Sequence, residues 1–405
     1  MRIAYFVHDL TDPAVGKRVR MLRAAGADVV VLGFRREDRT VATIEGAHAV
    51  DLGRTYDARF AQRTLKVLRR AFSLGRGCRE IIDADVLLAR NLEMLAIASA
   101  ARRNHARKAV LAYECLDLHR LLLSNGALGG VLRSIERSLM RKARLLIVSS
   151  PAFLSQYFER TQGVNRTFRL PVLLVENKVV DLSVDNAEAL VSRSTDNLPG
   201  PPWRIGWFGM IRCRRSLDIL CRLVRDHPGV IEVIIRGRPA RGEFDDFEAQ
   251  VNRTPGIHFG GPYHPSELAE LYTGVHFNWA IDYFEAGANS ALLLPNRIYE
   301  GGRYGVVPIA LADTETGRWL QRRGLGLLLS AATDELPHLL SHLRPSAYAE
   351  LSTACRLAPR SLFVADRQDC KRLLDALATA CSAASQSGDR QVVTPSGAEL
   401  FPPVR

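Results

Sequence analysis

Short apolar runs that stop at polar or glycine residues recur along this chain, each followed by a stretch of helical periodicity. Few folds accommodate that alternation. The runs cover residues 2–7, 28–34, 85–91, 109–113, 145–150 and 173–178, then 203–208, 230–235, 275–280 and 306–310. A strand that is apolar on both faces has to be buried on both, which is the condition of a parallel sheet covered by helices. Parallel strands need crossovers, and the helical stretches supply them, so the opening reads as a βαβ unit in a doubly wound sheet. Between residues 181 and 202 the composition turns polar and rich in Pro and Gly, as a linker does. With 405 residues divided by that break, the sequence predicts two α/β domains, each with its own core.

Charge separates the halves. Residues 1–200 carry 32 Lys and Arg against 21 Asp and Glu, whereas residues 201–405 carry 23 against 22, so an anionic partner is expected at the first half. Seven cysteines without a Cys-x-x-Cys pair argue for reduced thiols rather than a disulfide framework or a zinc site. Neither a bilayer-spanning apolar run nor a signal-peptide layout is present, which sets the expected location as cytoplasmic. Two basic amphipathic helices are expected over 59–74 and 128–146. The first carries Arg59, Arg63, Lys66 and Arg70; the second carries Arg133, Arg137, Arg141 and Arg144. Each reads as a solvated face or as a surface resting on anionic lipid at the inner face of the plasma membrane. Nucleic acid is not expected, because the basic faces lack interleaved aromatics.

The most distinctive stretch runs from Leu294 to Ala310. Pro295 opens a short helix carrying Arg297, Ile298 and Glu300, Gly305 stops it, and 306–310 is a buried strand. Glu300 is suited to accept from ribose hydroxyls, with Arg297 and Arg303 nearby for phosphate. Gly301 and Gly302 suggest a close approach by something other than a side chain. Upstream, Gly209 leads into Arg212, Arg214 and Arg215 at a helix start, a good place for a pyrophosphate. Gly287, Ala288, Asn289 and Ser290 offer a nest-like loop.

Together Pro295, Arg297, Glu300, Gly305 and Pro308 resemble the donor-site signature of the GT-B glycosyltransferases, in particular the retaining family 4. The wording around Asn296–Gly302 is most similar to the bacterial enzymes of succinoglycan and exopolysaccharide biosynthesis. The resemblance implies an α/β GT-B fold of two Rossmann-like doubly wound domains with an interdomain cleft. It sets an acceptor domain at 1–180 and a nucleotide-sugar domain at 203–360; composition and spacing add the linker at 181–202, a C-terminal helix at 361–381 and, where Ser, Gly, Gln and Pro increase, a disordered tail at 382–405. Donor binding falls to Gly209, Arg212, Arg214, Arg215, Asn289, Ser290, Arg297 and Glu300. Two positions depart from the family: Arg215-Ser216 replace a Lys-Gly pair, and Leu292 stands eight residues before Glu300, where a second glutamate is usual. Asp282 or Glu285 is a candidate substitute for it.

In the first half, the strand ending near Tyr113 leads into Glu114, Asp117 and His119. These ionisable groups sit at a strand end, and the resemblance makes them catalytic candidates beside Arg215. His8 and Asp9 follow the first strand on the acceptor side, where open α/β sheets place ligands, although Asp9 or Asp12 also serves as a helix cap. The implied activity is transfer of a sugar, with retention, from a nucleotide-diphosphate sugar, a UDP-sugar, to a lipid-linked or other saccharide acceptor. No cofactor or metal is expected. A nucleotide-sugar epimerase and a non-catalytic scaffold of polysaccharide assembly are the alternatives.

Overall fold

The computed structural model describes residues 1–36, 40–54, 81–183, 200–240, 242–330 and 335–387. They fall into two compact units, Met1–Glu176 together with the chain from Asp366, and Asn177–Ala365.

The first unit is built on an eight-stranded sheet. Its strands are β1 (Arg2–Val7), β2 (Asp28–Arg35), β3 (Thr43–Ile44), β4 (Ala47–Arg54), β5 (Val86–Arg90), β6 (Val110–Cys115), β7 (Leu145–Val148) and β8 (Val172–Leu174). Their order is β3-β4-β2-β1-β5-β6-β7-β8, and every pair is parallel except β3 with β4. The chain winds outward from β1 to β4, then returns to β1's other flank, so the switch point lies between β1 and β5. Helix α1 (Pro13–Ala24) begins where Asp12 accepts from the Ala14 N–H and Pro13 occupies the first turn. Helix α2 (Asn91–Asn104) follows β5, and the C-terminal helix Arg367–Ser387 packs on α1.

One carboxylate ties the middle of this sheet together. Glu114, at the end of β6, is fully buried. It accepts from Arg18 Nε of α1 at 2.5 Å, Arg90 Nε of β5 at 3.1 Å and the Tyr5 hydroxyl of β1 at 2.5 Å. Arg90 also reaches Asp12 Oδ2 at 3.2 Å and the Ala14 carbonyl at 3.0 Å. Burial alone would raise the Glu114 pKa, but Arg18, Arg90 and Tyr5 bring it down to about 2. Both oxygens are engaged and no surface is left for a substrate. Glu114 is therefore a structural anchor and not the acid or base expected from its place at a strand end.

Helix α3 (Ala127–Met140) overturns a second expectation. Its two arginines turn away from the outer face: Arg133 donates to the Leu122 and Ser124 carbonyls, and Arg137 to those of Thr161 and Gln162. Arg141 and Arg144, beyond the last turn, are exposed as expected, with Arg141 5.6 Å over the Phe168 ring. The exposed side carries Leu128, Val131 and Ile135 instead, continued by Ser138 and, just beyond the last turn, Lys142. Guanidinium groups near a loop with unsatisfied carbonyls are drawn inward, and helical spacing alone does not reveal which side that is. The companion helix expected over 59–74 lies outside the described residues.

The second unit holds β9 (Val179–Val180), β10 (Trp203–Ile211), β11 (Ile231–Pro239), β12 (Ile257–Phe259), β13 (Phe277–Trp279), β14 (Val307–Leu311), β15 (Leu327–Leu329) and β16 (Val364–Ala365). Six of them form a wholly parallel sheet in the order β12-β11-β10-β13-β14-β15, with its switch point between β10 and β13. All four tryptophans, Trp203, Trp207, Trp279 and Trp319, are buried in its core. Strands β9 and β16 pair separately, and this pairing breaks the C-terminal helix expected over 361–381. Residues 360–362 form a turn of 3-10 helix, 364–365 are strand, and the long helix starts only at Arg367. That helix continues to Ser387, across the start of the expected tail at 382; residues 388–405 lie outside the described residues.

The Glu114 network sets a pH dependence. A folded pKa near 2 against an unfolded 4.5 contributes stability that is complete above about pH 4.5 and is lost as pH falls toward 2, worth roughly 3 kcal/mol. Glu114→Gln should lower the stability of the first unit by about that amount at pH 7 and flatten its acid limb. Hydrogen exchange of the β6 amides across this pH range measures both; an unchanged acid slope in the variant refutes the assignment.

Candidate functional site

The second unit gathers its polar residues at the carboxyl ends of β10, β11 and β13. Gly209 and Gly237 are partners in register across β10 and β11, with φ of 107° and 146°. A Cβ on Gly237 would lie 1.7 Å from the Gly209 carbonyl oxygen, so only glycine allows the two backbones to approach this closely. β10 therefore continues to Ile211 where the sequence suggested that Gly209 ends it.

Helix α4 (Arg214–Asp226) starts directly after β10, with Cys213 Sγ accepting from the Ser216 N–H. The three arginines of this turn take different directions. Arg214 leaves the site: it binds the Glu243 carbonyl through Nε and Nη2 and Asp245 at 2.8 Å through Nη1. It is withdrawn as a donor ligand, because its fork is filled. Arg212 pairs with Asp282 at 3.0 Å and lies over Phe284. Arg215 lies 4.1 Å over the Tyr283 ring and has no carboxylate within salt-bridge distance among the described residues. It is exposed, stacked and available to an anion.

Asp282 was a candidate for the carboxylate missing at Leu292. With Arg212 on it and little exposed surface, it anchors the loop instead. Ser290 Oγ accepts from the Glu285 N–H at 3.0 Å, and Asn289 begins a single helical turn, Asn289–Leu292. Ser290 closes its own loop; its hydroxyl is not turned to a ligand, and Leu292 itself is in the core.

Glu300 sits on α6 (Asn296–Gly302), for which α5 (Leu268–Thr273) forms a neighbouring wall. The buried Tyr272 hydroxyl donates to Glu300 Oε2 at 3.1 Å. Arg297 Nη1 donates to the Trp279 carbonyl at 3.0 Å, and the Arg297 carbonyl accepts from Asn278 Nδ2 at 2.6 Å, fixing the start of α6 against the end of β13. Tyr263 closes the other side. A Cβ on Gly209 would be 4.0 Å from its hydroxyl, and burial together with the Glu300 charge pushes its pKa up. The phenols of Tyr263 and Tyr272 thus stay protonated beside a half-buried carboxylate.

The glycine pair has another cause than the one expected. A Cβ on Gly301 would meet Asn278 Nδ2 at 2.9 Å and Tyr272 at 3.2 Å, and one on Gly302 would meet the Phe363 ring at 2.2 Å. Side chains of the unit itself, not a ligand, occupy that space. Arg303 points away too: it and Arg360 share Asp181, at 2.7 and 2.8 Å. Arg303 is not a phosphate group's partner.

No family model matches the chain. It is 45% identical over 389 residues to the succinoglycan biosynthesis protein ExoL of Rhizobium meliloti strain 1021, covering 96% of each chain. The chain belongs to the ExoL family. Among solved structures it is similar to sucrose-phosphate synthase from Thermosynechococcus elongatus, with a TM-score of 0.71 at 14% identity, covering 95% of this chain and 100% of that one. HepE from Anabaena, solved with UDP and glucose, gives 0.65 at 14% identity, covering 94% and 99%. The fold is GT-B, two Rossmann-like units, in this ExoL-family chain.

In the first unit of this family member, the remaining candidates lie after β1 and β6. Asp9 is occupied: Oδ1 accepts from the Thr11 N–H and hydroxyl, and Oδ2 pairs with Arg36 at 3.0 Å. It shapes a turn and is withdrawn as an acceptor ligand. His8 follows β1 beside the switch point, its Nδ1 buried without a hydrogen-bond partner. Burial lowers its pKa, which keeps the ring neutral at pH 7. Asp117 and His119 are exposed, and His119 Nδ1 caps a single turn by accepting from the Leu121 N–H at 3.3 Å, which leaves the proton of the neutral ring on Nε2. Sequence reasoning missed Tyr272, which reads as one more apolar position on its helix.

The glycine contact across β10 and β11 makes a strong prediction. Gly237→Ala should destabilise the second unit by about 3 kcal/mol or more, since its Cβ meets backbone that cannot swing away. Tryptophan fluorescence during urea unfolding reports this unit; an unshifted midpoint would show that the close approach does not exist.

Proposed function

We propose that the protein is a glycosyltransferase that moves a sugar, with retention, from a UDP-sugar to a lipid-linked exopolysaccharide repeat unit. The observation that carries this reading is Glu300 on α6, held by Tyr272 of α5, within the same unit that presents Arg215 and the first turn of α4 at a carboxyl edge. Glu300 accepts the ribose hydroxyls. The Arg214 and Arg215 amides at the start of α4 and the Arg215 guanidinium receive the diphosphate, with Arg212 partly neutralised by Asp282. As the bond from the anomeric carbon to the diphosphate oxygen breaks, negative charge builds on the departing nucleotide; the acceptor oxygen bonds to that carbon, and its hydroxyl proton passes to the departing phosphate oxygen. Cations and helix amides already in place stabilise that charge without reorganising. ExoL's role in succinoglycan biosynthesis, and the UDP and glucose bound by HepE, support the choice of donor and product. In this reading guanidinium groups carry the phosphate charge, and transfer survives EDTA.

Membrane contact falls to α3. No described helix is long and apolar enough to cross a bilayer. Leu128, Val131 and Ile135 enter the boundary of anionic lipid while Lys142, at the end of the same stripe, meets the headgroups. A scaffold without activity is the second reading, favoured by Leu292 at the place of the family's second glutamate.

Labelled UDP-, GDP- and TDP-sugars incubated with the protein and membrane extract test the proposal; a labelled, lipid-extractable product is expected. Turnover of donor without acceptor would establish an epimerase, and nucleotide binding without turnover a scaffold. Glu300→Ala should weaken nucleotide binding at least tenfold by calorimetry, the loss expected for hydrogen bonds to a charged group. Serine at positions 128, 131 and 135 together should abolish co-sedimentation with anionic vesicles. High salt alone should only weaken it, because the apolar contribution is unscreened. Retained binding by the triple variant would move the contact elsewhere.

A further inference from the structure

We infer that Tyr272 is a positioning residue that makes the nucleotide site selective for ribose over 2′-deoxyribose. The inference rests on Glu300 being the ribose acceptor, and adds what fixes that carboxylate and which ligands it refuses. Tyr272 is fully buried, and its ring is held from three sides. Phe208 meets it edge-on at 5.0 Å, Tyr304 stacks at 5.9 Å, and the bare Cα of Gly301 leaves just the space the ring occupies. With the ring locked, the hydroxyl has one direction, and it points at Glu300 Oε2. Burial and the Glu300 charge keep the phenol protonated, so it remains a donor.

A glutamate on the second turn of a seven-residue helix has three side-chain torsions. Alone it would rotate to meet whatever hydroxyl a ligand presents. The phenol removes that freedom by taking one lone pair of Oε2 and setting the carboxylate plane. The other acceptor positions then have a fixed spacing, matched by two neighbouring hydroxyls of one ribose. A deoxyribose supplies one of them and leaves a half-buried acceptor unmatched. Sites built to bond a hydroxyl reject the analogue that lacks it far more strongly than an adaptable site does. Tyr272→Phe would keep the ring packing and free the carboxylate to turn toward a single hydroxyl.

Calorimetry with UDP, GDP and ADP, and with the 2′-deoxy form of each one that binds, tests this. The wild-type protein should prefer the ribonucleotide by about tenfold or more, as expected for an unmatched polar group. Tyr272→Phe should bring the ratio below about threefold, with an unchanged thermal midpoint by tryptophan fluorescence. An unaltered ratio in Tyr272→Phe overturns the inference even if both affinities fall, because mere loosening of the fold would weaken the two nucleotides alike. Should that variant fail to fold, Glu300→Asp draws the carboxylate one methylene away from the phenol and should collapse the ratio in the same way; a preserved ratio there also overturns it. Glu300→Gln separates the two layers of argument. If it leaves ribonucleotide affinity unchanged, or if no nucleotide binds at all, the donor-site reading falls and this inference with it. If it weakens binding while Tyr272→Phe keeps the ratio, only the role of Tyr272 is lost.

Discussion

A strand with both faces buried can offer chemistry to a ligand only from its ends. In a wholly parallel sheet the carboxyl ends all lie along one edge, and that constraint organises the second unit. Gly209, the arginines at the start of α4, the loop after β13 and the start of α6 come together because β10, β11 and β13 run in the same direction. Their wide separation in sequence, from Gly209 to Arg297, costs nothing once the crossovers are in place. The first unit obeys the same rule at its own switch point, where His8 follows β1 and Arg90 ends the neighbouring β5.

Carboxylates at such edges divide into those that hold the fold and those that are left to meet a ligand, and partners decide which. Glu114 has two guanidinium groups and a phenol, no exposed surface, and a pKa of about 2. Removing one side of such a cluster would strand buried charge, which is why it reads as structure. Glu136 shows the opposite balance. It is equally buried and accepts from Tyr113, Tyr157 and Gln162, with no cation paired to it among the described residues, so burial raises its pKa. Glu300 differs from both: one phenol holds it, and part of it faces outward.

The doubly wound architecture was legible in the sequence, since apolar runs of strand length alternate with helical spacing and burial follows composition. The placement of Glu300 on a short helix was legible as well, from Pro295 and Gly305. What could not be read was the direction of each long cation. Arg212, Arg214 and Arg215 are consecutive or nearly so, yet one pairs with Asp282, one with Asp245 and one stacks on Tyr283. Those partners are tens of residues away, and nothing local announces them. The same limit applies to α3, where the carbonyls that capture Arg133 and Arg137 come from loops outside the helix. Gly301 and Gly302 misled for a related reason: a missing side chain signals close approach without saying what approaches.

These arginines also show that net charge does not locate the cations without carboxylate partners. The positive excess belongs to the first half of the sequence, yet Arg215, held on an aromatic ring, is in the nearly neutral second half. Arg214, Arg303 and Arg360 carry full charge but spend it on Asp245 and Asp181. Arg215 instead rests on the face of Tyr283, an interaction that orients the guanidinium while leaving its N–H groups to a further acceptor. A cation that lacks a carboxylate and is still held in place is the one left to meet an anion, and an aromatic face provides that combination where an ion pair cannot.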